Sequence, residues 1–172
     1  MSSAYRFFTI FNKIKTAPEA HAHCDIPCGI YDPHLAQLAA HTVIRMVSLI
    51  HELPRLTPDI SPQERLEIVH NLARYTATKD EHAELCKKEI RILWGDYFKP
   101  EHVQQFPELH DLVWKVMKLG SKSRQHVSLE DAHDLLATVQ KIAEIFWKTK
   151  GYQTVNVKAP YPSGGELVVP KL

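Results

Sequence analysis

Apolar residues recur at helical spacing in four stretches of the chain, each opened by a recognisable start signal. In the first, Leu35, Leu38, Ala39, Thr42, Met46, Leu49 and Ile50 fall on one face, behind Asp32-Pro33, a capping residue followed by proline at the first helical position. Pro54 and Pro58 then break the chain. Ser61-Pro62-Gln63-Glu64 forms a capping box around a proline and predicts a long helix to about Trp94, with Ala83, Cys86, Ile90 and Leu93 aligned in its later half. Residues 95–100 (Gly-Asp-Tyr-Phe-Lys-Pro) read as a loop. The third helix begins near Pro107, carries Leu109, Leu112, Val113 and Val116, and is expected to stop at Gly120. Ser128 opens the fourth, whose stripe of Ala132, Leu135, Leu136, Val139, Ile142, Ala143 and Phe146 is the cleanest.

Four amphipathic helices with connections of modest length predict an all-α fold, an antiparallel four-helix bundle over residues 33–150. The chain changes character after that. Gly151, Pro160, Pro162, Gly164, Gly165 and Pro170 preclude helix, so residues 151–172 are expected to be an extended or mobile tail. Within it, only Glu166-Leu167-Val168-Val169 suits a strand. With 172 residues there is room for one domain with a real core.

Twenty-one basic residues against twenty acidic ones leave a net charge of +1, which argues against a nucleic-acid partner. The longest strongly apolar run, residues 7–11, falls far short of the roughly 18 residues that span a bilayer, so no membrane partner is expected. Residues 1–22 carry Arg6, Lys13 and Lys15, have no acidic residue before Glu19, and end in Ala20-His21-Ala22, which has the small-x-small form of a cleavage site. They read as a propeptide or an organelle-targeting leader, and a processing protease is the implied partner; the apolar stretch is too short for a secretory signal. Three cysteines make no disulfide framework and suit a reducing, cytoplasmic compartment.

The most informative segment is residues 23–33, His-Cys-Asp-Ile-Pro-Cys-Gly-Ile-Tyr-Asp-Pro. Pro27 and Gly29 oppose a helix, so Cys24 and Cys28 converge through a tight turn. By spacing alone such a pair is more often incidental, a zinc pair or a redox pair. Two thiolates and a histidine within six residues nevertheless form a soft donor set for a late first-row metal. Cleavage after Ala22 gives His23 a free α-amine, one chelate ring from the backbone nitrogen of Cys24. Amine, deprotonated amide and two thiolates make a planar N₂S₂ set, which favours Ni(II) or Cu(II) over tetrahedral zinc. The His23 imidazole is available as an axial ligand. A nickel or copper store without turnover, and a helical interaction module with a vestigial hook, are the rival readings.

The string His-Cys-x-x-Pro-Cys-Gly-x-Tyr-Asp-Pro resembles the hook that starts the mature nickel superoxide dismutases. Residues 93–100 (Leu-Trp-Gly-Asp-Tyr-Phe-Lys-Pro) with 107–110 (Pro-Glu-Leu-His) resemble that family's loop between its second and third helices, and residues 145–150 (Ile-Phe-Trp-Lys-Thr-Lys) the end of its last helix. The resemblance implies a four-helix bundle assembled as a homohexamer, with nickel held by His23, Cys24 and Cys28. It implies superoxide as substrate and dismutation to oxygen and hydrogen peroxide by Ni(II)/Ni(III) cycling. Tyr31 is expected over the open face, Tyr97 in the pocket wall and Lys99 as a positive charge near its mouth. Asp25 and Asp96 are expected to organise hook and loop, and Pro27 to set the hook turn. Two departures stand out: Ala39 and His82 occupy positions where better-known members have a glutamate and an arginine that orient the hook histidine. His82, or His41 nearby, is the expected substitute. Cys86 lies in the apolar seam of the second helix and reads as core.

Overall fold

The computed structural model of the protein describes residues 29–172. Helix α1 (His34–Glu52) starts where the sequence places it, with the Asp32 carboxylate accepting the His34 N–H at 2.6 Å. Helix α2 (Pro62–Ile92) opens with a complete capping box, in which Ser61 Oγ accepts from Glu64 N (3.2 Å) and Glu64 Oε2 accepts from Ser61 N (3.1 Å). A short α3 (Pro100–Gln105) precedes α4 (Leu109–Gln125) and α5 (Leu129–Thr149), the last capped by Ser128 Oγ at Asp131 N. Helix α1 packs on α2 and α5, and α4 packs on the same two, which closes the four-helix ring. The seam holds Val43, Val47, Ile90, Val116, Leu135, Val139, Ile142 and Phe146, all withdrawn from water. Cys86 is there too, as expected: burial pushes its thiol up to about 12, so at neutral pH it is an uncharged core group.

Three expectations need correcting. Gly120 does not end the third helix, which runs five residues further to Gln125. It is buried at the crossing of α2 and α4, where a Cβ would stand 2.7 Å from Cγ of Lys87 and 3.3 Å from the Ala83 carbonyl. The glycine lets two backbones approach. Residues 95–100 are not a plain loop either. Helix α2 runs into a π-helical turn, Leu93–Tyr97, closed by the Phe98 N–H on the Leu93 carbonyl at 3.0 Å, and Pro100 then opens α3. The wider turn leaves Trp94, Gly95 and Asp96 exposed while Tyr97 folds inward.

The third correction concerns the tail, which is extended as expected but forms two strands where the sequence offered one. Strands β1 (Thr154–Lys158) and β2 (Glu166–Pro170) form an antiparallel hairpin, with Val155 opposite Val169 and Val157 opposite Leu167. β2 contains the Glu166–Val169 stretch, and it lies on α1 and α5. Fully buried Gln37 on α1 mimics a neighbouring strand: its amide donates to the Val168 carbonyl (3.0 Å) and accepts from the Val168 N–H (2.8 Å). Buried His41, one turn on, meets Ser163 Oγ at 2.9 Å through Nδ1 and the Glu166 carbonyl at 3.1 Å through Nε2, and Gln140 of α5 donates to that same carbonyl.

Burial holds the His41 pKa below the usual histidine value; the Glu166 carbonyl opposes this, and His133 adds to it when charged. The docked state therefore favours the neutral ring. Its contribution is complete above the ordinary histidine pKa and declines as pH falls, because the undocked state takes up the proton first. Hydrogen exchange should show the amides of residues 158–168 losing protection between pH 7.5 and 5 relative to the α2–α4 core. In a His41→Gln variant this selective pH response should vanish.

Candidate active site

At one end of the bundle, the segment leaving the hook brings Tyr31 against the π-helical turn. The Tyr31 and Tyr97 ring centroids are 5.6 Å apart at 52°. Tyr97 is held from every side: tilted on Phe146 of α5 at 4.6 Å, edge-on to Phe98 at 5.2 Å, and stacked on His102 of α3 at 5.7 Å. Its hydroxyl lies 2.8 Å from Thr149 Oγ1. The single Thr149 hydrogen is committed to the Phe146 carbonyl at 2.7 Å, so Tyr97 is the donor in this bond. Tyr97 is thus a fixed wall whose only proton is spoken for.

Of the other residues singled out from sequence, His23, Cys24, Asp25, Pro27 and Cys28 lie outside the described residues, as does the 1–22 leader. Asp96 is exposed and, among the described residues, accepts no side-chain hydrogen bond, so the turn is organised by the Phe98–Leu93 backbone bond instead. Lys99 is also exposed. Its backbone N–H donates to His102 Nδ1 at 3.2 Å, and it borders a hollow with Trp94, Phe98 and His110.

Ala39 and His82, the two departures, line one cavity of about 480 Å³ between α1, α2 and the turn of the tail hairpin. His41 lines it as well, but both its nitrogens are engaged by Ser163 and Glu166, which removes it as the substitute that orients His23. His82 Nδ1 donates to the Thr78 carbonyl at 2.9 Å, which leaves Nε2 of the neutral ring as an acceptor. Sequence reasoning missed Thr149, Gln37 and the hairpin turn. The first sits in the Phe-Trp-Lys-Thr-Lys string, where only its hydroxyl hinted at more than a helix end.

Among the described residues no group of three or more histidine, cysteine or acidic side chains is placed to hold a metal ion, and Cys86 is too deeply buried to serve. The soft donors that suit a late first-row metal are those the sequence carries at His23, Cys24 and Cys28. A helical bundle that ends in an aromatic wall, in a chain whose amino-terminal sequence carries two closely spaced cysteines, has the make-up of a small helical metalloprotein. The family model described as nickel-containing superoxide dismutase matches residues 18–150. The chain is 36% identical over 129 residues to superoxide dismutase [Ni] of Streptomyces seoulensis, covering 75% of this chain and 88% of that protein; the Streptomyces coelicolor protein gives the same figures. A native nickel superoxide dismutase structure aligns with a TM-score of 0.61 at 34% identity, over 74% of this chain and 99% of that one. An apo structure of nickel superoxide dismutase aligns with a TM-score of 0.61 at 32% identity, over 72% and 99%. The chain belongs to the nickel-containing superoxide dismutase family.

Proposed function

We propose that this chain is a nickel-dependent superoxide dismutase in which His23, Cys24 and Cys28 hold the metal and Tyr31 and Tyr97 form the face that superoxide meets. Family membership supplies the reaction, two superoxide ions going to oxygen and hydrogen peroxide, and the cofactor, nickel. The bound metal supplies the one-electron redox chemistry; thiolate and amidate donors bring its potential into the working range.

The residues around it have separable tasks. Tyr97 donates to Thr149 and so forms a rigid apolar wall. Tyr31, set against that wall, presents the hydroxyl that orders a small anion or water. Asp25 and Pro27 shape the hook. A protease acting between Ala22 and His23 generates the amine ligand in the cytoplasm, and the processed chains assemble as a homohexamer. Lys99 adds a positive charge near the mouth of the pocket once the chains have assembled.

One observation carries the reading: Tyr31 and Tyr97 converge within 5.6 Å at the end of the bundle from which the hook departs. Removing the Tyr31 hydroxyl with Tyr31→Phe takes away one hydrogen bond to the substrate, which should slow the processed, nickel-loaded enzyme about tenfold at limiting superoxide. Tyr97→Phe should slow it less, since that hydroxyl faces Thr149. Unchanged rates in both variants would remove the pair from the reaction path.

A further inference from the structure

The sequence points to Lys99 for the charge that attracts superoxide, yet the side chain over the tyrosine wall is another lysine. Lys150 Nζ lies 5.6 Å from the centroid of the Tyr97 ring and 4.9 Å from that of Phe146. Both distances are within cation–π range. Since Tyr97 touches Tyr31, the ammonium stands beside the pair assigned above to the substrate face.

Its placement is built into the end of α5. Lys150 is the last residue before Gly151, which adopts a left-handed φ of +82°. The Gly151 N–H donates to the Lys148 carbonyl and the Tyr152 N–H to the Trp147 carbonyl, each at 3.0 Å, the two bonds of a Schellman stop. The Tyr152 ring then packs edge-on to Trp147 at 6.1 Å. These contacts fix the backbone from which Lys150 reaches back over Tyr97, and the carbonyl end of α5 favours a cation there. Among the described residues no carboxylate pairs with Lys150, whereas Lys148, two residues earlier, faces Glu144 at 4.0 Å. With a net charge of only +1, the chain has no general field to draw in an anion, so a local charge has to do it.

We propose that Lys150, held over Tyr97 by the Gly151–Tyr152 stop, is the residue that steers superoxide to the tyrosine pair. The proposal rests on the reading of Tyr31 and Tyr97 as the substrate face. It concerns encounter, not the chemical step. One unit charge about 6 Å from the path of a monovalent anion changes the encounter rate about threefold in a water-like dielectric, and more where an apolar wall concentrates the field.

The test uses processed, nickel-loaded protein and superoxide generated by pulse radiolysis, at low and at high ionic strength. At low salt, Lys150→Gln should lower the second-order rate about threefold and flatten its dependence on salt, because screening has less attraction left to remove. Lys150→Glu should lower it about tenfold and reverse the slope, while Lys150→Arg keeps rate and slope. Lys118→Gln, which removes a charge resting on Trp114 instead, should leave both near the starting values. An unaltered slope in Lys150→Gln, or an equal loss in Lys118→Gln, overturns the proposal. A second measurement needs no turnover. Azide titrated into processed, metal-free protein with ¹³C-labelled tyrosine should shift the Tyr31 and Tyr97 ring signals, and Lys150→Gln should weaken that response. No shift in the unsubstituted protein also counts against the proposal. Should Tyr31→Phe and Tyr97→Phe leave the rate intact while Lys150→Gln changes the slope, the substrate-face reading fails and the steering charge stands. The opposite pattern spares the reading and removes Lys150.

Discussion

The chain that retains residues 1–22 is expected to show no dismutase activity, and the chain beginning at His23 to bind one nickel and turn over superoxide. The reason is the nitrogen at the cut. Before cleavage His23 N is a peptide nitrogen, its lone pair delocalised into the preceding carbonyl, and a poor donor. After cleavage it is an amine, able to close a chelate ring with the next backbone nitrogen. Cys24→Ser and Cys28→Ser should each lower activity by more than about 100-fold, since a hydroxyl stays protonated where a thiol ionises. The helices should be untouched, because the buried core of the bundle is built from residues Ala36 onward. Amino-terminal sequencing, nickel analysis, circular dichroism and a superoxide assay on the same samples decide it. A full-length chain as active as the trimmed one, or a Cys24→Ser protein that keeps nickel and turnover, would contradict the assigned ligand set.

Replacing Lys79 should cost more stability than any other single change in the polar part of the bundle. Its side chain is 1% exposed, an unusual fate for a lysine. The ammonium donates to the Ser123 and Arg124 carbonyls in the last turn of α4, the latter at 3.2 Å, and pairs with Asp80 at 2.7 Å. Those carbonyls have no partner within their own helix, so Lys79 of α2 does for α4 what a C-terminal cap would. Lys79→Met keeps the buried stem and removes the charge, leaving two carbonyls and a carboxylate without their donor. The expected loss is about 3 kcal/mol, or roughly 10 °C in Tm for a domain of this size. Thermal unfolding of the metal-free protein measures it free of any contribution from nickel. A shift of only a degree or two would mean that water replaces the ammonium at no cost.

Much of the bundle was legible because helix starts are local events. Asp32, Ser61 and Ser128 each cap the N–H groups two or three residues on, and those interactions are written in adjacent letters. Helix ends read less well. A glycine that stops a helix and one that lets two helices touch have the same neighbours in sequence; Gly120 is the second kind, and Gly151 is the one that stops. The turn at residues 93–97 has no local signature either, because its extra residue is stabilised by where Tyr97 ends up, against Phe146 and Thr149 fifty positions later.

By itself the sequence determined four amphipathic helices, a non-helical tail, a soft donor set at residues 23–28 and the family that such a hook marks. All of these depend on short-range chemistry: periodicity, capping, and the softness of closely spaced thiols. The tertiary structure alone decided that the tail docks, since Gln37 and Val168 meet across 131 residues. It also decided that His41 is taken up by that tail, and that Lys150 rather than Lys99 lies over the tyrosine wall. Such pairings follow from which helix ends the closed ring of the bundle brings together, and no run of neighbouring residues encodes that.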